Sequence, residues 1–403
     1  MNVLVISPIY PSSFSAPNST PLVHYYTRKW VEQGHNVRVI HVCCQYPKIY
    51  YWAGRHFNKF LSSKLGMAIA DKSPWAYNET NEGVAVSHIT MKKFIPHGRY
   101  SRAAVYKTVK YAEEILRSEK ADVVVGHWVN PTLEVLYELK KRHKVTCGLV
   151  LHENAAQLIH YYKQDTKLLL DSIDIIGYRS KALKEDVEQK FGVRHSFMAY
   201  SGVPESFLET AAKEPDRSFK DIRNFVFVGA LIQRKYPAEI LPALLSAYGD
   251  DVFTMTYIGA GKQDVRIKQF AKEHDLENAV RLTGRIPREN IMEYLKKSDV
   301  FVMISKNEVY GLVYLEAMAF GCIPIAARGE GFDGIIIDGE NGFLCDAGNV
   351  DELSLIIGKI RNLHMDELTR ISTNAKETAM RFGDSNVAKQ YLENVLESNI
   401  SNK

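Results

Sequence analysis

Short apolar runs separated by turn residues recur along the chain, and the stretches between them have helical spacing. Residues 2–7, NVLVIS, are the first run and lead into the turn-rich PIYPSSFSAPNS. A helix is predicted next: Thr20 suits its N-cap, Pro21 its first position, and Leu22, Val23, Tyr26, Trp30 and Val31 line one apolar face. Gly34 stops it, and NVRVIHV (36–42) follows as a strand, which makes a βαβ unit and the start of a parallel sheet. ADVVVGH (121–127), CGLVLHE (147–153) and IDIIGY (173–178) are further buried-strand runs with helical stretches between them. The pattern pauses over 196–222, where AYSGVPESF precedes the polar EPDRSFKDIRN, and a linker is expected there. The grammar then repeats through FVFVGA (225–230), FTMTYIGAG (253–261), VRLTGRI (280–286), DVFVMIS (299–305) and CIPIAA (322–327). Two successive α/β domains with a cleft between them are predicted, 1–198 and 199–384. A helical tail, 385–403, is placed to pack back on the first.

Composition agrees with a folded chain: 403 residues, 46% hydrophobic and 24% charged, are enough for two cores. No apolar run approaches the ~18 residues a membrane-spanning helix needs. MNVLVISPIYP has neither a basic leader nor a small-residue cleavage site and reads as a strand. Cys43, Cys44, Cys147, Cys322 and Cys345 form no CxxC, so buried free thiols of a reducing cytoplasm are expected and a metal site is not. The net charge of +4 is uneven: residues 1–195 hold 27 Lys+Arg against 17 Asp+Glu, and the remainder 24 against 30. The front half therefore expects an anionic partner.

Two stretches explain that excess. YPKIYYWAGRHFNKFLSSKLG (46–66) and MKKFIPHGRYSRAAVYKTVKYA (91–112) contain no acidic residue. Such elements lie in a membrane interface, aromatics at headgroup level and cations on anionic lipid, or else are solvated faces of ordinary helices. Nucleic acid is not expected, because no binding signature accompanies them.

The chemistry-bearing residues gather in the second half. SKNEVYGLVYLEAMAFG (305–321) sets Glu308 in a loop after a strand and Glu316 inside the following helix, eight positions on. Ligands of open α/β sheets bind at such strand ends, beside helix N-termini that favour anions. A carboxylate gains nothing from a phosphate, so hydroxyls are its natural partners there; the plain alternative for Glu316 is an exposed helical glutamate. Arg234 and Lys235, after the domain's first strand, suit a diphosphate as planar fork and point charge, or are solvated loop cations. GAGK at 259–262 fails as a phosphate loop, since Thr256 and Gln263 stand at its required positions, and the first βα turn lacks GxGxxG. His152, at a strand end in the first half, reads equally as structural or functional.

In order and spacing these segments resemble the retaining glycosyltransferases of family 4, over nearly the whole chain. The resemblance rests on ISPIYP, EQGHNVRVI, SGVPESF, FVGALIQRK, YIGAG, LTGRIP, EYLKKSDVFVMIS, the Glu308–Glu316 element and GFDGIIIDGENGFL. It implies the GT-B architecture: two Rossmann-like α/β domains whose parallel sheets face a central cleft, with acceptor on the first and nucleotide-sugar on the second. It implies that Glu316 binds ribose and Glu308, a catalytic candidate, binds the donor sugar. The diphosphate would meet Gly311, Leu312, Val313, Arg234 and Lys235, and the base would meet Arg285 and Ile286. His152 matches a catalytic-site histidine near the reacting sugar, and Ser19 and Thr20 fall in the acceptor-side loop where family glycines often sit. The implied reaction is retaining sugar transfer from a UDP- or GDP-sugar co-substrate to a glycan or lipid-linked hydroxyl, with no cofactor and no metal. Cell-surface polysaccharide or glycolipid synthesis, on the cytoplasmic face of the membrane, is the implied setting. Ala230 and Val309 depart from the family's usual arginine and glycine. They leave open a non-catalytic nucleotide-sugar-binding partner of another transferase; a nucleotide-sugar epimerase on the same architecture is the other alternative.

Overall fold

A computed structural model describes residues 1–12, 21–47, 76–94, 98–193 and 195–401, and in 398–401 the backbone only. The chain forms two compact units. The first comprises Met1–Arg179, Leu183–Ala199 and the segment from Val387 onward; the second comprises Ser180–Ala182 and Tyr200–Asn386.

The first unit is built on an eight-stranded sheet. Its strands are β1 (Asn2–Ser7), β2 (Asn36–Gln45), β3 (Ala76–Asn81), β4 (Val84–Lys92), β5 (Val123–His127), β6 (Thr146–Leu151), β7 (Ile175–Tyr178) and β8 (Ser196–Met198). They run in the order β3-β4-β2-β1-β5-β6-β7-β8. Only β3–β4 is antiparallel, a hairpin closed by Glu82 (φ +46°) and Gly83 (φ +82°). Positive φ at both central residues is the primed turn whose twist matches that of the flanking strands. The parallel strands are covered on both faces, which is why Val3–Ile6 and Val123–Val125 are consecutive apolar residues with almost no exposure. Each such side chain contributes about 1.5–3 kcal/mol relative to an exposed position.

The helix Leu22–Glu32 buries Leu22, Val23, Tyr26 and Trp30 as its spacing predicts. Gly34, at φ +86°, follows its end. The predicted Thr20 cap lies outside the described residues; Pro21 occupies the N-cap position, and among the described residues no side chain caps this helix. The terminal segment is stitched to that helix: Trp30 Nε1 donates to the Ala388 carbonyl at 2.7 Å, and the Tyr391 ring meets Tyr26 and Trp30 edge-on.

The second unit carries a six-stranded, wholly parallel sheet. Its strands are β9 (Asn224–Val228), β10 (Thr254–Ile258), β11 (Val280–Gly284), β12 (Val300–Met303), β13 (Ile323–Ala327) and β14 (Phe343–Cys345). The order is β11-β10-β9-β12-β13-β14. Four of the five free cysteines are buried and Cys44 is half-buried.

Two expectations change. The stretch expected as linker, 196–222, contains β8 and the helix Glu205–Lys213, because Phe207, Leu208 and Ala211 are needed in the second core. The run 91–112 is not one amphipathic element: Met91 and Lys92 end β4, and the helix Arg102–Glu119 begins behind a Ser101 cap. Residues 48–66 of the other basic stretch and 95–97 of this one lie outside the described residues. Among the described residues no helix is long and apolar enough to cross a membrane.

Candidate functional site

In the second unit, β9 and β12 are neighbours, so the loops that leave their C-terminal ends are neighbours too. The backbone there is drawn very tight. The Gly229 N–H donates to the Ile258 carbonyl at 2.9 Å and the Gly259 N–H to the Gly284 carbonyl at 2.8 Å. A Cβ on Gly259, at φ +144°, would stand 1.8 Å from the Gly229 oxygen, so only glycine permits this approach. The tight crossing fixes the start of the turn Gln233–Lys235, which carries both predicted cations.

Those cations converge on the first predicted carboxylate. Lys235 Nζ lies 2.6 Å from Glu308 Oε2, and Arg234 Nη1 lies 3.4 Å from the same oxygen. Arg234 is tied down as well: its Nη1 donates to the Asn307 carbonyl at 3.3 Å, and its own carbonyl accepts from the Lys306 N–H at 2.7 Å. Glu308 is clasped from behind. Its N–H donates to Glu330 Oε2 at 2.8 Å and its carbonyl accepts from the Gly331 N–H at 2.7 Å. Two cations, Lys235 and Arg234, and two carboxylates, Glu308 and Glu330, are thus held together at a strand end, with small exposure of Lys235 and Glu308.

The loop continues through Val309, which is 42% exposed, to Gly311 at φ +81°. Positive φ falls on Asn307 (+56°) and Gly311 and not on Val309, so a β-branched side chain fits at 309. Val313 begins the helix Val313–Ala319, and Leu312 is its N-cap residue with no side-chain cap. The first intrahelical bonds are made by Tyr314 and Glu316, to Gly311 and Leu312, so the Leu312 and Val313 amides precede them.

Glu316 is not the exposed helical glutamate that its type suggests: it is 4% exposed. Arg288, at the start of the helix Arg288–Leu295, donates to Glu316 Oε1 from Nε at 2.8 Å and again from Nη2, which offsets the cost of burying the carboxylate. Arg288 escaped the sequence reading because nothing in local spacing ties it to a glutamate 28 residues away. Arg285 is exposed and Ile286 half-buried in the turn between β11 and that helix.

His152 belongs to the first unit and the other described candidates to the second. It follows β6, stacked on Trp128 at 4.0 Å between centroids, with Nε2 3.3 Å from His127 Nδ1. Tyr391 hydroxyl meets His127 Nε2 at 3.2 Å. Burial pushes His152 well below the usual histidine range and His127 down to about 3, so both rings are neutral near pH 7. Glu153 accepts from the Val129 and His152 amides, and burial pushes its carboxyl up to about 7. A neutral imidazole here suits hydrogen bonding to a hydroxyl and not neutralisation of a phosphate. Ser19 and Thr20 lie outside the described residues.

In the second unit, cations and carboxylates gather at strand C-termini of a parallel α/β sheet, where such sheets bind their ligands. Residues 209–378 match the family model described as glycosyl transferases group 1. An uncharacterised glycosyltransferase of Methanocaldococcus jannaschii is 28% identical over 72% of this chain and 79% of its own. D-inositol 3-phosphate glycosyltransferase of Corynebacterium urealyticum is 26% identical over 56% of this chain, a match spanning 57% of that relative, little more than half its length. In fold, the Anabaena protein HepE, solved in complex with UDP, superposes with a TM-score of 0.65 over 98% of this chain and 100% of its own, at 18% identity. Over residues 209–378 the chain is similar to the group 1 glycosyltransferases, and its fold is GT-B.

Proposed function

We propose that the chain moves a sugar from a UDP- or GDP-sugar to a hydroxyl of a glycan or lipid-linked acceptor, with retained anomeric configuration and without a divalent metal. The observation that carries this reading is the Lys235–Glu308–Arg234 constellation at the ends of β9 and β12, with the Arg288-braced Glu316 on the adjoining helix. The UDP held by HepE supports the donor class.

In this reading the donor diphosphate takes the two cations and the Gly311–Val313 amides, Glu316 receives ribose hydroxyls, and Glu308 receives hydroxyls of the sugar. Arg285 and Ile286 flank the base. The anomeric C–O bond to the β-phosphate breaks while a C–O bond to the acceptor forms on the same face. The acceptor's hydroxyl proton passes to the departing phosphate oxygen, so no protein nucleophile is required. Lys235 and Arg234 stabilise the charge that grows on the leaving nucleotide, which is where fixed charge most lowers a barrier. His152, neutral and stacked on Trp128, is suited to a hydrogen bond with a hydroxyl.

The basic first unit supports the reading of the acceptor's setting. The helix Arg102–Glu119 has no acidic residue in its first turn, and exposes Tyr106 with the Lys110 ammonium 5.0 Å above its ring. Beside it, Ala76, Ile89, Met91 and Tyr111, with the charged residues Lys107, Lys110 and Glu114, line a concavity of about 270 Å³. Apolar walls beside two lysines support the reading of a lipid-linked acceptor met at an anionic membrane surface, with the enzyme peripheral on the cytoplasmic face, in surface polysaccharide or glycolipid synthesis.

Calorimetry and thermal shift with UDP-, GDP- and ADP-sugars, followed by turnover with extracted lipid acceptors, test this. A UDP- or GDP-sugar raises the melting temperature and is consumed only when acceptor is added. Turnover without acceptor indicates an epimerase, and binding without product under any acceptor indicates a non-catalytic partner; either result overturns the proposal.

A further inference from the structure

The β2–β4 pairing sets His41 directly opposite His88, and Cys43, two residues on, shares His41's face of β2. The two rings face each other through Nδ1 at 2.9 Å, and Cys43 Sγ lies 3.5 Å from His41 Nδ1. His41 and His88 are at most 5% exposed, and Cys43 9%. The three donor atoms fall within 4.8 Å of one another, the one such grouping among the described residues.

The surroundings orient these donors inward. His88 Nε2 lies 2.8 Å from Glu79 Oε1, and a carboxylate only accepts, so Nε2 carries the proton and Nδ1 presents a lone pair. The Tyr77 ring stacks on His88 at 4.2 Å and 5°, and Tyr10 packs against His41. A histidine whose far nitrogen donates to a carboxylate is the arrangement that fixes tautomer and ring direction in metal sites. Two of the three donor spacings are close to those of a metal site, and the third is within 4.8 Å. Metal–nitrogen bonds of about 2.0–2.1 Å and a metal–sulfur bond of about 2.3 Å give tetrahedral edges of about 3.3 Å between nitrogens and about 3.6 Å from nitrogen to sulfur. The observed 2.9 and 3.5 Å need the imidazoles to part by about 0.4 Å.

We propose that His41, Cys43 and His88 bind one divalent transition-metal ion of the zinc class, with Glu79 as the outer partner of His88. Binding replaces the Cys43 thiol proton with a metal–sulfur bond and releases that proton to solvent, while the His41 proton moves to its Nε2. Thiolate and Glu79 carboxylate together balance the ion's two charges, as burial of a dication requires. The ion ties β2 to β4 and, through Glu79, to the edge strand β3. None of these residues enters the proposed sugar transfer, so the site is a separate property of the first unit.

The test uses the full chain stripped with chelator and titrated with Co²⁺. One equivalent is taken up, with a tetrahedral visible spectrum and a near-ultraviolet sulfur-to-cobalt band. Zn²⁺ displaces it and raises the melting temperature. Cys43→Ser abolishes the sulfur band, and His88→Gln weakens binding about tenfold or more, with circular dichroism reporting that each variant folds. The alternative is a closed hydrogen-bond relay in which His41 Nδ1–H donates to His88 Nδ1. Failure of the folded wild-type chain to take up either ion at about a hundred micromolar, or a sulfur band unchanged in Cys43→Ser, overturns the proposal.

Discussion

Replacing Lys235 with methionine separates the structural from the ligand-binding side of the Glu308 constellation. The pair is close, 2.6 Å, and its side chains are 13% and 15% exposed. Coulomb attraction at that distance is about 6 kcal/mol at an effective dielectric of about 20, and desolvation of both groups offsets most of it. Removing one partner is a different quantity. Glu308 would keep only Arg234, at 3.4 Å and 44% exposed. Breaking a fully buried pair costs about 3–5 kcal/mol; with residual solvent and a second cation present, the loss here is about 2 kcal/mol.

Glu308→Gln added to Lys235→Met removes the orphaned charge, so the double variant recovers at least half of that loss. Nucleotide affinity behaves in the opposite way. A charge-assisted bond from Lys235 to diphosphate is worth about 1.5–3 kcal/mol, so binding falls roughly tenfold to a hundredfold in the single variant and stays low in the double. Urea unfolding and calorimetry with UDP and GDP read the two quantities independently. A double variant as unstable as the single would show that the lysine stem's packing, and not charge, set the loss. Nucleotide affinity within threefold of wild type in Lys235→Met would refute the diphosphate role.

Three further outcomes follow from the geometry. Gly259→Ala drives a Cβ into the Gly229 carbonyl and destabilises the second unit by about 3 kcal/mol or more, read as a lowered melting temperature. Arg288→Met leaves Glu316 buried without its guanidinium and costs about 3 kcal/mol in urea unfolding, whereas Arg288→Lys restores part of it. Glu153, raised from 4.5 to about 7, contributes stability that is fully present below about 4.5 and lost as pH rises through about 7. Wild-type stability therefore loses up to about 3 kcal/mol from this group between pH 5 and 8, and Glu153→Gln flattens that part of the pH profile.

The elements that the chain announces are those buried on both faces. Every strand expected in the second half is present, because parallel strands beneath helices demand unbroken apolar runs such as FVFV and VFVM. The hairpin 76–92 was not legible. β3 reads AYNETN, alternately exposed and half-buried, and leaves no apolar signature; Glu82-Gly83 was its one local mark. β14, three residues long, is set by its pairing with β13 and not by its own composition. The same division holds for site residues. Glu308, Glu316, Arg234 and Lys235 sit where strand–loop–helix grammar puts ligand contacts, whereas Arg288 and Glu330 act on them from 28 and 22 residues away.

His41 and His88 carry that argument to its limit. Alternation along β2 places His41 and Cys43 on one face, but the histidine that completes the cluster is 47 residues away. A slip of one residue in the β2–β4 register would turn His88 to the opposite face and scatter the donors. The register itself is held by the burial of Val39, Val42, Val84, Val86 and Ile89, residues with no chemistry of their own. Whatever His41, Cys43 and His88 bind is thus specified by apolar packing, and a search of the sequence for ligand spacing passes over it. The same reasoning explains why Val309 is tolerated. The loop's unusual backbone is concentrated at Asn307 and Gly311, and Val309, which lies between them, keeps a φ that a β-branched residue adopts.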